Sequence, residues 1–179
     1  MTLRVTCVAL CVAGGLAHPA YGQSAEDAIN NAVTAAPAAV SAEATVYGFD
    51  EAGAMITLRE GKNGWWCMAD NPGSPGNDPM CGDANAMEWA GAWMGKTDPP
   101  QGKVGFMYML AGGSDSSNTD PYATGPADGN HWVTTGPHVM IVNATGLMAG
   151  YPDTEDPDTA RPYVMWPGTP YAHLMVPVQ

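Results

Sequence analysis

The run "GPHVMIVN" (residues 136–143) has the pattern of a central β-strand, and a similar run, "YAHLMVPV" (171–178), lies near the C-terminus. Both carry His-x-Met among apolar residues. In each run the residues on both faces are largely apolar, which is typical of strands that are covered on both sides. The two runs therefore predict buried strands of a sheet.

Alternate residues of a strand point to the same side of the sheet, so each histidine shares a face with the methionine two positions later. If the two strands pair, their imidazoles and thioethers converge within cross-strand reach. Such a soft donor set suits Cu(I) better than Zn(II). The candidate metal ligands are His131, His138, Met140, His173 and Met175. The competing interpretation is a methionine-rich core in which each histidine donates to a carbonyl.

Residues 1–22 have the pattern of a secretory signal peptide, with basic Arg4, an apolar run over 5–16, and small residues at Ala20 and Gly22. Residues 23–179 are then predicted to form one domain that is secreted or periplasmic. No later apolar run reaches the length of a membrane-spanning helix, so no membrane partner is expected after removal of the signal.

Cys67 and Cys81 are the two cysteines outside residues 1–22, and an even pair in an exported chain predicts a disulfide. The pair brackets a loop rich in Pro, Gly, Asn and Asp. All 18 acidic residues lie in 23–179, against five basic ones, so the mature net charge is 5 − 18 = −13. A charge of that sign argues against nucleic acid as a partner, because phosphate binding needs a basic surface.

Two helices are predicted from capping patterns. The first begins at Ser24, with Asp27 three residues on, and the second begins at Asp83 and ends at Gly95. Strand-like runs at 44–49, 54–60 and 64–69 predict a meander, 103–110 predicts a further strand, and the C-terminal runs predict a hairpin across 167–170. The predicted fold class is α+β, a mainly antiparallel β-sheet covered by one or two short helices in a single compact domain.

Two long loops offer other chemistry. The loop 111–130 contains Ser114, Ser116 and Ser117, which together with His131 or His138 suggest a hydrolase, although no Gly-x-Ser-x-Gly elbow is present. The acidic loop, residues 144–161, is expected to be solvated or to bind a divalent cation weakly.

The leading functional prediction is an exported small binding protein that binds a metal ion or small molecule, with copper as the favoured ligand. The alternatives are a structural or interaction domain without a catalytic site, and the hydrolase.

Overall fold

The computed structural model describes residues 24–74, 76–113 and 115–178. The predicted signal peptide, 1–22, and Ser114 lie outside the described residues. The helices are α1 (Ala25–Ala32), α2 (Ala38–Ser41) and α3 (Ala84–Met94). The strands are β1 (Thr45–Phe49), β2 (Met55–Arg59), β3 (Trp66–Met68), β4 (Met80–Gly82), β5 (Gly105–Met109), β6 (Ser116–Ser117), β7 (Trp132–Val133), β8 (His138–Val142), β9 (Tyr163–Met165) and β10 (His173–Pro177).

Eight strands form one sheet in the order β2-β1-β3-β4-β5-β8-β10-β9, and β6 pairs with β7 in a small second sheet. The fold is broadly α+β, as predicted. The large sheet is mixed, however, because β3 pairs parallel to β1 while the other neighbours are antiparallel. The predicted meander of the first three strands is therefore wrong.

The chain reaches the parallel position by crossing under the start of β1. Lys62 N donates to Glu43 O and Thr45 N donates to Trp65 O, which holds the crossing segment against β1. A Cβ atom at Gly61 would lie 2.1 Å from Thr45 N, so this close approach requires glycine. The predicted meander requires a turn at residues 61–64, whereas Gly61 lets the chain cross β1.

Both predicted helices begin at the expected residues. Ser24 Oγ accepts from Asp27 N at 3.1 Å, and Asp83 Oδ1 accepts from Ala86 N at 2.8 Å. At the end of α3, Gly95 remains in the right-handed region with φ −77°, and the left-handed residue is Lys96 with φ 55°. The glycine thus ends the helix without adopting the left-handed conformation usual for a terminal glycine.

The two faces of the sheet have different compositions and different covers. One face packs alanines of α1 and its neighbours against Val46 and the Cys67–Cys81 pair. The predicted disulfide is present, and it joins residues that lie directly opposite each other on β3 and β4. The other face lies under α3 and is rich in methionine. We call it the methionine face; it includes Met107, Met109, His138, Met140, Met165, His173 and Met175.

Across residues 24–74, 76–113 and 115–178, no helix is long and apolar enough to cross a membrane.

Candidate metal site

The two His-x-Met runs are neighbours in the sheet. β8 and β10 pair antiparallel, with Met140 opposite Met175, His173 opposite Val142, and Pro177 opposite His138. Residues that lie opposite each other point to the same side of a sheet. The register therefore places all four predicted ligands of these runs on the methionine face.

The two histidines are nevertheless separated along the strands. His173 lies opposite residue 142, four residues along β8 from His138. Four residues of extended chain span about 13 Å. The Met140–Met175 pair lies between them in the register, so the two histidines are not direct cross-strand neighbours. The structure divides the predicted ligand set into a His138 end and a His173 end.

At the His138 end the imidazole is held in one orientation. His138 Nδ1 lies 2.7 Å from Gly136 O, and since a carbonyl only accepts, Nδ1 carries the proton. Nε2 then carries the lone pair that binds a metal or accepts a hydrogen bond. Burial lowers the pKa of His138, and the hydrogen bond to Gly136 offsets this only in part. The ring is therefore neutral at neutral pH, the form that binds metals.

A cavity of about 10 Å³ lies beside this ring. Its floor consists of side chains from three adjacent strands: His138 of β8, Met175 and Pro177 of β10, and Tyr163 of β9. Its roof consists of loop residues: Thr135, Gly136 and Thr159. This volume corresponds to about one water-sized sphere, which suits a single atom and excludes an organic ligand.

Tyr163 brings a buried, unpaired hydroxyl to this cavity. Its side chain is 1% exposed, and within the described residues its hydroxyl has no hydrogen-bond partner. Burial raises the pKa of Tyr163, so the hydroxyl stays protonated. Buried hydroxyls without a partner are uncommon in proteins and call for an explanation.

Thioethers surround the His138 end on the floor of the sheet. Met109 of β5 lies directly opposite His138, and Met107 lies opposite Met140, which in turn lies opposite Met175. All four methionines are buried. Methionine side chains are flexible and polarizable, so neighbours of Met175 can turn toward the cavity with small backbone changes.

The His173 end resembles closed core. Its Nδ1 donates to Tyr171 O at 3.0 Å, and its ring lies edge-on to Trp166 and Trp89, with centroids 4.9 and 5.3 Å away. Its Nε2 has no partner among the described residues. Burial lowers the pKa of His173 to about 4. The tryptophan rings leave this ring without an open side.

His131, the fifth predicted ligand, lies in a different region. It precedes β7 in the left-handed region with φ 47°, and it contacts two carboxylates of the acidic loop. Its Nδ1 lies 2.9 Å from Asp156 Oδ1, and its Nε2 lies 3.3 Å from Glu155 Oε2. The hydrogen bond to Asp156 raises the pKa of His131. His131 does not line the His138 cavity.

Ser117, in the serine-rich loop, does not have the geometry of a nucleophile. Ser117 Oγ accepts from Thr119 N and Asp120 N at 3.2 and 2.8 Å and also contacts Asn130 O, so it shapes a turn. Both ring nitrogens of His131 are engaged by carboxylates. These contacts leave Ser117 and His131 without the arrangement of a nucleophile and its base.

The cavity residues that the sequence did not reveal are Tyr163, Thr135 and Thr159. The "PYVMW" run predicted a strand, but strand pattern alone does not distinguish a packed tyrosine from one with an unpaired hydroxyl. The register of β9 against β10 puts Tyr163 opposite Met175, and the tertiary structure leaves its hydroxyl without a partner among the described residues.

The chain matches no protein-family model, no curated protein and no solved structure. In the part of the chain that the structure describes, no group of three or more His, Cys, Asp or Glu residues is placed to hold a metal ion. A metal centre there would consequently depend on thioether ligands.

Proposed function

We propose that this chain is an exported binding protein for a soft metal ion, with Cu(I) held at the His138 end of the methionine face. The observation that carries the proposal is the one-atom cavity lined by the His138 imidazole and the Met175 thioether. Export is supported by the pattern of residues 1–22 and by the Cys67–Cys81 disulfide, which is stable in an oxidising compartment.

The donor set fits the ion. Cu(I) prefers soft ligands and accepts neutral imidazole, and His138 is neutral and oriented by its bond to Gly136. Met140 supplies a second thioether from the position opposite Met175. A neutral donor set without carboxylate ligands favours a monovalent ion over Zn(II) or Ca(II). In this proposal His173 and His131 are not ligands.

The test is a titration of the mature protein with Cu(I), without oxygen and against a competing chelator. Two variants remove donors with little change of shape. His138→Asn keeps an N–H that can donate to Gly136 O, and Met175→Leu keeps the apolar volume. We expect 1:1 binding by the wild type and a loss of affinity of at least about tenfold in each variant, or about 1.4 kcal/mol.

The matched controls are His173→Asn and Met165→Leu, which make the same changes at the other end of the same face. Both are expected to bind Cu(I) like the wild type. Equal losses in all four variants would show that the affinity reflects general core integrity. Wild-type binding retained in His138→Asn and Met175→Leu would remove the proposed site.

A further inference from the structure

The acidic loop covers part of the cavity beside His138. Within this loop Thr159 is half-buried and lines the cavity, while its neighbours Asp158 and Ala160 are exposed. The floor comes from the sheet, whereas this part of the roof belongs to a segment with little burial of its own. Segments of that kind open locally at much lower free energy than the core.

Among the described residues, five polar contacts hold the loop in place. Val164 N of β9 donates to Pro152 O at 2.7 Å. The amide of Asn118 donates to Thr154 O and Glu155 O at 2.9 and 3.1 Å. His131 contacts Glu155 and Asp156 through its two ring nitrogens. Three of these five polar contacts involve Glu155 or its neighbour Asp156.

The residue that holds the loop through two hydrogen bonds has an unsatisfied buried atom of its own. Asn118 is fully buried, and its Oδ1 has no partner within the described residues. A buried acceptor without a donor disfavours the state that contains it. The Asn118 attachment therefore holds the loop less firmly than its two hydrogen bonds suggest, and the exposed His131 contacts become important for closure.

From this arrangement we infer that the acidic loop is a lid over the His138 cavity and that the contacts of His131 with Glu155 and Asp156 are its latch. The inference rests on the proposed function for its purpose, because a lid controls entry of the ion. Its geometry is independent of any metal. Opening the lid exposes His138 Nε2, while His173 remains under its tryptophans.

The experiment uses diethyl pyrocarbonate, which modifies unprotonated histidine nitrogen and is too large for a 10 Å³ cavity. Mass spectrometry of the mature protein gives the rate at each histidine. Glu155→Gln with Asp156→Asn releases the latch, and Asp128→Asn with Asp153→Asn is the control with the same change of charge. We expect the His138 rate to rise about two- to fivefold in the latch variant, as the loss of weak surface ion pairs allows. The control and the His173 rate are expected to stay unchanged.

Three outcomes overturn the lid. They are an unchanged His138 rate in the latch variant, an equal rise in the charge control, and a wild-type rate that already matches a histidine in a short peptide. Stopped-flow binding of Cu(I) separates the two proposals. Faster modification of His138 in the latch variant, without any Cu(I) binding, supports the lid and contradicts the proposed function. If Cu(I) binds and the latch variant changes neither the His138 modification rate nor the Cu(I) binding rate, the result supports the proposed function and contradicts the lid.

Discussion

The two ends of the methionine face start from the same local structure and reach different environments. At each end a histidine donates Nδ1–H to the carbonyl two residues earlier, Gly136 O for His138 and Tyr171 O for His173. Loops cover the first ring and leave a cavity, whereas Trp89 and Trp166 enclose the second. The His-x-Met pattern thus sets the orientation of the ring, and the tertiary cover determines whether the ring can bind anything.

Removing one covering residue from each end should reveal the largest difference between the two ends. Trp166 is buried, stacks on Trp89 at 6.1 Å, and donates Nε1–H to Ser117 O at 2.9 Å. We expect Trp166→Ala to lower the free energy of unfolding by about 3–5 kcal/mol. Thr159→Ala removes a half-buried loop residue that covers the other end. It should lower the free energy of unfolding by less than about 0.5 kcal/mol.

Urea denaturation followed by circular dichroism measures both values, provided that the slope of the transition is the same in each variant. Comparable small losses would mean that the tryptophan cover is no more important to the fold than the loop cover. Comparable large losses would mean that the acidic loop is part of the core.

The next largest effect is expected from the buried His173 when the protein is titrated with acid. The pKa of His173 is lowered from 6.5 to about 4 by burial, so the unfolded chain takes up its proton first as pH falls. The stability of the fold should therefore decrease as pH falls from 6.5 to 4, by about 3 kcal/mol from this residue, and no further below that range.

The contribution is measured as the difference between wild type and His173→Asn, whose amide can still donate to Tyr171 O. The carboxylates titrate alike in both proteins, so their effect cancels in the difference. A pH dependence that is the same in the two proteins would contradict the assignment of a closed, neutral core to this end.

Much of the local structure at the two ends could be predicted from the sequence, but the features that make the two ends different could not. Local patterns predicted the Ser24 and Asp83 caps, the strands around His138 and His173, and the disulfide, because neighbouring residues determine each of them. The parallel pairing of β3 depends on the close approach of Gly61 to Thr45. These two residues are separated along the chain and meet only when the sheet forms. The cavity depends on Tyr163 and Thr159, which come from β9 and the acidic loop. Shared faces were predictable from alternation, but the four-residue offset between the histidines was not, since only the register shows it.

The smallest expected effect concerns the latch, and its sign is opposite to that of the buried histidine. The carboxylates that face His131 are Asp156 and Glu155, both from the acidic loop, and the hydrogen bond to Asp156 raises the pKa of His131. A raised pKa means that the folded state gains stability from the protonated ring. That gain is complete below the unfolded pKa of about 6.5 and is lost as pH rises through the folded value.

Amide hydrogen exchange, corrected for the intrinsic effect of pH, measures the two ends in one experiment. Protection of peptides from the acidic loop should fall modestly as pH rises above about 6.5, and His131→Ala should abolish that dependence. Protection of β10 around His173 should instead rise from pH 4 to 6.5 and then level off. Opposite slopes require two regions that open separately, each controlled by its own histidine. Slopes of the same sign at both ends would mean that the sheet and the acidic loop open together, and the comparison between the two ends would then describe one cooperative unit.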